Sequence, residues 1–257
     1  MTILSKQYID DHCNNLGILR HQLTEFVFPD GITVINTRAF EDCTSLTSIT
    51  IPDSVIQIDL YVFKGCTSLR SIIIPDSVSY IDQYAFQNCT SLESITIPKG
   101  VSFISYNAFS KCTSLTSVII HDSVNTIQKG AFSECTSLTS ITFPDSVNTI
   151  KKGAFSGCTS LTSITIPEGV NEISEEAFFG CTSLTSITIP DCVTEIGYGA
   201  FYGCNASTQI ICNKPDLFTY KNILYRSQKQ FISTTDYFEE NYQALLNAIK
   251  PSEFNSN

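Results

Sequence analysis

A unit of 23 residues recurs along most of this 257-residue chain, and it constrains the fold more than any other feature. The stretch CTSLTSITIPDSV begins at Cys43, and edited copies begin at Cys66, Cys89, Cys112, Cys135, Cys158 and Cys181. A unit this short cannot bury its own apolar face, so such units stack on their neighbours. Because the spacing contains no insertion, the sequence predicts a solenoid of equal coils.

Each unit contains the pattern of one short strand. In Leu-x-x-Ile-x-Ile the last two apolar residues alternate toward one side, as in a half-buried strand. A proline such as Pro52 follows in most units, and it ends strand pairing because it has no N–H to donate. Val55 and Ile58 then form a second inward-facing pair. We therefore expect a β-rich solenoid with a parallel sheet.

An unbroken phenylalanine column is the strongest candidate for the core. One phenylalanine occupies the same place in every unit, and we expect these rings to stack inside the solenoid. The column consists of Phe40, Phe63, Phe86, Phe109, Phe132, Phe155, Phe178 and Phe201.

The eleven cysteines follow the repeat and not a disulfide pattern. Their number is odd, and eight of them share one position, from Cys43 to Cys204. Stacked about 4.8 Å apart, they satisfy the Cα distance of a disulfide, but parallel Cβ vectors seldom give its dihedral angle. We expect buried free thiols that act as small hydrophobic residues. Partial disulfide pairing and a metal site are the alternatives.

The chain divides into an N-terminal cap (1–22), a solenoid (23–212) and a C-terminal cap or tail (213–257). Alignment to the repeat places Phe26 and Phe28 in a strand and Ile32 and Ile35 in the second inward pair. Caps are expected because an open solenoid exposes its terminal apolar faces.

Both caps are predicted to be α-helical. At the N-terminus, Ser5 is a capping residue, Ile9, Cys13 and Leu16 share one helical face, and Gly17 is a stop signal.

At the C-terminus, Asp236 and Glu239 form a capping box before an apolar stripe, and Pro251 ends it. The segment 214–232 fits a further helix less well. The C-terminal helix covers the core in the simplest interpretation, and binding a partner or directing secretion is the alternative.

The order Cys-Thr-Ser-Leu-Thr-Ser-Ile-Thr-Ile-Pro-Asp-Ser-Val, followed by Ile and Ala-Phe, resembles the BspA-like leucine-rich repeat family. The resemblance covers about 190 residues, and the spacing, the proline and the Ala-Phe-x-x-Cys junction agree in seven consecutive coils. It implies a curved right-handed solenoid. It also implies adhesion or host-protein binding, as in mucosa-associated bacteria and protozoa, and by analogy a place at the cell surface.

The net charge and the hydropathy of the chain exclude some classes of partner and some locations. The net charge of −10 repels phosphate backbones and anionic headgroups, so we expect no nucleic acid partner. No run of 18 apolar residues exists, and Asp10 and Asp11 precede any apolar stretch. We therefore expect neither a transmembrane segment nor a signal peptide, and a cytosolic or non-classically exported chain.

The sequence offers little for catalysis. The three histidines are His12, His21 and His121, and the pair of His121 with Asp122 is more typical of a solvated turn than of an active site. No phosphate loop, zinc spacing or nucleophile elbow is present. We expect a non-enzymatic protein without a cofactor. A rival hypothesis places an enzyme in 213–257, where we find no acid–base pair.

Positions whose residue varies between units are candidates for a binding site, because the stacking of one coil on the next does not determine which residue they carry. In the early coils the loop after the second pair contains five rings: Tyr61, Tyr80, Tyr84, Phe103 and Tyr106. Clustered exposed aromatic residues are enriched at protein interfaces. The leading prediction is a scaffold that binds a partner protein, such as a host protein, through this face.

The outward strand positions form the alternative site. Hydroxyl residues recur there and would form a flat array that binds glycan or orders water, although such residues also suit an exposed sheet. The array includes Ser48, Thr50, Ser94, Thr96, Ser140, Thr142, Ser163 and Thr165.

Overall fold

The structure is a computed structural model that describes residues 2–205 and 207–214 and the backbone of 231–232. The chain winds through about eight turns of a parallel β-solenoid. Each turn is called a coil below, and most coils contribute a short strand to each of two walls. This confirms the predicted repeat solenoid.

The first wall, the hydroxyl sheet, is built from the predicted Ser-Ile-Thr strands. In these strands the serine and threonine side chains point outward and the isoleucine between them is buried, because side chains alternate across a strand. The strands of this wall pair in parallel at matched repeat positions, for example Ser48 with Ser71 and Ser163 with Ser186. The pairing divides them into three sheets, with breaks between Ser71–Ile73 and Ser94–Thr96 and between Ser117–Ile119 and Ser163–Thr165. The strands are Ser48–Thr50, Ser71–Ile73, Ser94–Thr96, Ser117–Ile119, Ser163–Thr165, Ser186–Thr188, Gln209–Ile211 and Phe231–Ile232.

The second wall, called the second sheet below, is formed by the second inward-facing pair of each coil. Its hydrogen bonding is interrupted once, between Tyr80–Ile81 and Phe103–Ile104. Its strands are mostly two residues long, with the isoleucine buried. They are Thr2–Leu4, Ile32–Ile35, Gln57–Ile58, Tyr80–Ile81, Phe103–Ile104, Thr126–Ile127, Thr149–Ile150, Glu172–Ile173 and Glu195–Ile196. After each strand a turn containing the Ala-Phe pair closes the coil; we call these the lateral turns.

The core follows the predicted columns. The eight rings from Phe40 to Phe201 are buried, and neighbouring rings stack with centroids 5.2 to 5.7 Å apart. Their planes are within 14° of parallel. Each stacked pair adds about 1 kcal/mol beyond its burial, so the column stabilises every junction between coils.

The prediction of a strand in every coil is wrong at 140–142, which is not a strand. In this coil Phe143 occupies the position that isoleucine holds in the other coils, and its ring packs edge-on against Phe155 at 5.6 Å. We attribute the missing strand to this larger ring. Phe26 and Phe28 are also not in a strand; both rings pack on Phe40, at 5.1 and 6.0 Å.

The N-terminal segment combines a strand with a helix. Strand Thr2–Leu4 pairs with Ile32–Ile35, and helix α1 follows at Lys6–Asn15, with the Ser5 hydroxyl accepting from the Tyr8 N–H at 3.2 Å. Ile9 and Cys13 are buried as predicted. Leu16 is 58% exposed, so its placement on the buried face was wrong. A 3₁₀ turn, Arg20–Gln22, leads into the first coil.

The predicted C-terminal helix, from Asp236 to Pro251, lies outside the described residues. The weaker prediction of a helix at 214–232 is wrong at its end, because Phe231–Ile232 pairs with Gln209–Ile211 as a parallel strand. The hydroxyl sheet therefore extends two strands beyond the last Ser-Ile-Thr copy, Ser186–Thr188.

Candidate functional site

The repeat cysteines are structural groups. Cys43 through Cys181 are free thiols with no exposed surface. Each thiol from Cys66 onward donates to the carbonyl of the phenylalanine in the preceding coil, at 3.1 to 3.3 Å, as between Cys112 and Phe86. Burial raises the pKa of the Cys112 thiol to about 12. A buried neutral thiol is a poor nucleophile and metal ligand, so this ladder is not a reactive site.

Two of the predicted tyrosines form a stacked pair on the lateral turns. The rings of Tyr61 and Tyr84 lie 5.0 Å apart and 26° from parallel. Arg38 and Lys64 place their cationic groups 5.2 and 5.0 Å from the Tyr61 centroid. Cations over an aromatic face are attracted by the ring quadrupole. Tyr61 is thus held between cationic groups and a second ring.

Glu41 holds the two cations in place. Its carboxylate forms ion pairs with Arg38 at 3.5 Å and with Lys64 at 3.6 Å. Its side chain is only 15% exposed. Sequence reasoning missed Arg38, Lys64 and Glu41, because each occurs once and carries no repeat signal.

The backbone beneath the stacked pair is left-handed. Tyr61 and Tyr84 have φ of 60° and 58°. The same repeat position is also left-handed in the other coils, where it is Arg38, Asn107 and Glu176 or a glycine, as at Gly130, Gly153 and Gly199. A residue with a Cβ costs about 1 kcal/mol in this conformation. The later coils fold without an aromatic ring here, so the solenoid itself does not require the two rings.

The remaining predicted aromatic residues lie beside this pair. Tyr80 and Phe103 occupy outward positions of the second sheet and meet edge-on at 5.9 Å. The Tyr80 hydroxyl donates to Asp82 at 3.1 Å, and partial burial together with this carboxylate raises the pKa of Tyr80. Tyr106 is 42% exposed, and its carbonyl accepts from the Tyr84 N–H at 2.9 Å.

The five predicted rings therefore form two pairs and one separate side chain. Within the described part of the chain, no ring contact joins the pair Tyr61–Tyr84 to the pair Tyr80–Phe103, and none involves Tyr106. Tyr61, Tyr84 and Tyr106 lie in successive lateral turns, and Tyr80 and Phe103 lie in the second-wall strands of two consecutive coils. We call this group of five the aromatic surface.

The predicted hydroxyl array is exposed. Ser48, Thr50, Ser94, Thr96 and their counterparts Ser140, Thr142, Ser163 and Thr165 all lie at the surface. The array is interrupted, since Ile73 and Ile119 stand where other coils have threonine and are 64% and 53% exposed.

Charged residues follow the aromatic surface along the lateral turns. Lys152 pairs with Glu175 at 2.9 Å and Glu176 at 3.5 Å, and Lys111 pairs with Glu134 at 3.7 Å. Over the ranges described above, no group of histidine, cysteine, aspartate or glutamate has the arrangement of a metal site. The same ranges contain no helix of the length and hydropathy needed to cross a membrane.

These features define a leucine-rich repeat solenoid, a class of scaffold typical of protein-interaction proteins. The profile of the BspA type leucine rich repeat region matches residues 19–139 and 125–242, in six copies. The chain therefore belongs to the BspA-type leucine-rich repeat family, which confirms the resemblance seen in its sequence. Members of this family are generally non-enzymatic scaffolds.

Solved bacterial structures share this fold. A leucine rich cell surface protein from Faecalibacterium prausnitzii is 34% identical, with 77% of this chain and 62% of that chain covered and a TM-score of 0.57. A leucine-rich repeat protein from Bacteroides ovatus is 27% identical, with 82% and 70% covered and a TM-score of 0.52. The chain thus spans less than two thirds of the F. prausnitzii protein. No curated protein matches the sequence.

Proposed function

We propose that this protein is a non-enzymatic scaffold that binds a partner protein through the aromatic surface, in adhesion or host-protein binding. One observation carries the proposal. Tyr61 and Tyr84 occupy left-handed positions where the later coils have Asn107, Glu176 or a glycine and no aromatic ring. The fold does not need these rings, and Tyr106 beside them is 42% exposed. Tyrosine is enriched among the residues that dominate binding energy at interfaces.

The family and the relatives support the adhesive role. Leucine-rich repeat proteins typically bind proteins, and the F. prausnitzii relative is a cell surface protein. A solenoid also presents successive lateral turns as one extended surface.

The test replaces each ring with the residue that the protein itself uses at the same repeat position. Tyr84→Asn copies Asn107, which also has a positive φ, and Tyr106→Gln copies Gln83. Affinity capture from host-cell lysate with the wild-type chain should recover a protein that the double variant recovers at least about tenfold less well.

The matched control is Tyr198→Gln. Tyr198 occupies the repeat position of Tyr106 in a distant coil and is 64% exposed. This control should capture the same protein as the wild type. Equal capture by the double variant contradicts the proposal.

A second candidate function uses the hydroxyl array. The side chains of Ser94, Thr96, Ser163 and Thr165 are exposed in parallel register, so their hydroxyls face water and can bind a glycan. Ser94→Ala with Thr96→Val removes two hydroxyls at nearly constant shape. Glycan-array binding that is lost in this variant and retained in Tyr84→Asn/Tyr106→Gln would assign function to the array.

A further inference from the structure

Lysines follow the aromatic surface in the next coils. Lys129 occupies the repeat position of Tyr106 one coil further on, and its carbonyl accepts from the Asn107 N–H at 3.1 Å. Lys151 and Lys152 follow in the next coil, and Lys151 is exposed. At the repeat position of Tyr106, lysine thus first appears one coil further on.

Two of these lysines lack a compensating carboxylate. Lys152 is paired with Glu175 and Glu176, as described above. Within residues 2–205 and 207–214, neither Lys129 nor Lys151 forms an ion pair, and both are exposed. In a chain with a net charge of −10, they are a local positive surface.

The solenoid fold does not require a positive charge at the position of Lys129. Gln83, Tyr106 and Tyr198 occupy the repeat position of Lys129 in other coils. Lys129 and Lys152 hold that position in consecutive coils, and like charges in neighbouring strands or turns repel each other. Lys152 is compensated by Glu175 and Glu176, whereas a role outside the fold accounts for Lys129.

We propose that the partner presents a short acidic segment, whose carboxylates pair with Lys129 and Lys151 while an aromatic side chain packs on Tyr84 and Tyr106. This inference rests on the proposed function and names the chemistry of its partner. Complementary charge sets the specificity and rate of association, and the neighbouring rings supply apolar contact.

The charges around Lys129 and Lys151 favour a short acidic polypeptide segment as the ligand over a long polyanion. The lysines occupy two coils only, and the following coils carry Glu172, Glu175, Glu176 and Glu195. Glu172 and Glu195 are exposed and paired in register. A uniformly charged polysaccharide running along the solenoid would meet these carboxylates and be repelled, whereas a short segment ends before them.

The probe is a fluorescein-labelled peptide with one phenylalanine between two pairs of glutamates, titrated with the full chain and followed by fluorescence anisotropy. The wild type should bind it more weakly as salt rises from about 50 to about 300 mM, because salt screens exposed charges. Lys129→Glu/Lys151→Glu should weaken binding about tenfold.

The control, Arg70→Glu/Lys99→Glu, changes the net charge equally, away from the lateral turns. Both residues are exposed and paired, with Glu93 and Asp76. It should bind the peptide within about twofold of the wild type.

Three results would overturn the inference: no measurable binding by the wild type, equal loss in both charge variants, or preference for a lysine-containing peptide or for polygalacturonate. Failure here is separable from failure of the proposed function. A captured partner that is lost by Tyr84→Asn/Tyr106→Gln but kept by Lys129→Glu/Lys151→Glu leaves the scaffold function standing and removes only the acidic segment.

Discussion

At the scale of residues, the repeat cysteine is a hydrogen-bond donor inside the core. The Phe86 carbonyl accepts the N–H of Cys89 at 3.2 Å and the thiol of Cys112 at 3.2 Å. The cysteine therefore fills space and also satisfies a buried acceptor. Sequence periodicity predicted a buried thiol at this position, but it contains no information about which atom the thiol contacts.

This arrangement predicts a specific pH dependence. Cys112 has a folded pKa of about 12, above its ordinary value of 9.0. Its stabilising contribution is complete below pH 9 and is lost as pH rises toward 12, because the unfolded chain releases the proton first. One such thiol costs about 0.8 kcal/mol of unfolding free energy at a pH of about 9.5.

Urea unfolding at about pH 7.5 and about pH 9.5 measures this effect. The loss of stability between the two values should be about 0.8 kcal/mol smaller in Cys112→Ala than in the wild type. The other titrating groups are common to both chains, so they cancel. Identical losses in the two chains would show that the thiol is not held neutral by burial.

At the scale of elements, Arg20 joins the N-terminal segment to the first coil. Its guanidinium donates to Asp10 at 2.9 and 2.5 Å, to the Ala39 carbonyl at 2.6 Å and to the Lys6 carbonyl at 3.1 Å. One side chain thus connects α1 to the start of the solenoid. The capping and apolar pattern predicted α1, but nothing in the sequence marked Arg20, because a contact made once leaves no periodic signal.

Arg20→Ala should lower the unfolding free energy by about 2 kcal/mol, because charge-assisted bonds are lost and two carbonyls lose a donor. Hydrogen exchange should become faster in 2–22 and 32–43. The control is Arg70→Ala, since Arg70 is 71% exposed and pairs with Glu93 at 3.6 Å; it should cost less than about 0.5 kcal/mol. Equal costs for the two variants would exclude the proposed role of Arg20.

At the scale of the whole molecule, the repeat determines the solenoid while its exceptions carry the functional information. The sequence predicted the walls and the core because each coil repeats the same constraints. It did not predict the missing strand at 140–142 or the grouping of the five rings into pairs. Both features depend on contacts between side chains that differ from coil to coil and that the repeat pattern therefore does not specify. The contact of Phe143 with Phe155 is an example.

The central claim is that the fold tolerates loss of the rings and that binding does not. Tyr61→Asn and Tyr84→Asn relieve part of the backbone strain, about 0.5 kcal/mol each, because asparagine adopts a positive φ more readily than tyrosine. They also remove a stack and cation contacts worth about 1 to 2 kcal/mol together. Tyr106→Gln changes an exposed side chain. The triple variant should therefore be within about 1 kcal/mol of the wild type in unfolding free energy.

The most direct measurement is the affinity of the captured partner for the wild type and for this triple variant, by surface plasmon resonance, with urea unfolding of the same preparations. We predict at least about tenfold weaker binding at unchanged stability. Equal affinity of the two chains, or binding lost only together with stability, would contradict the claim that the aromatic surface binds the partner.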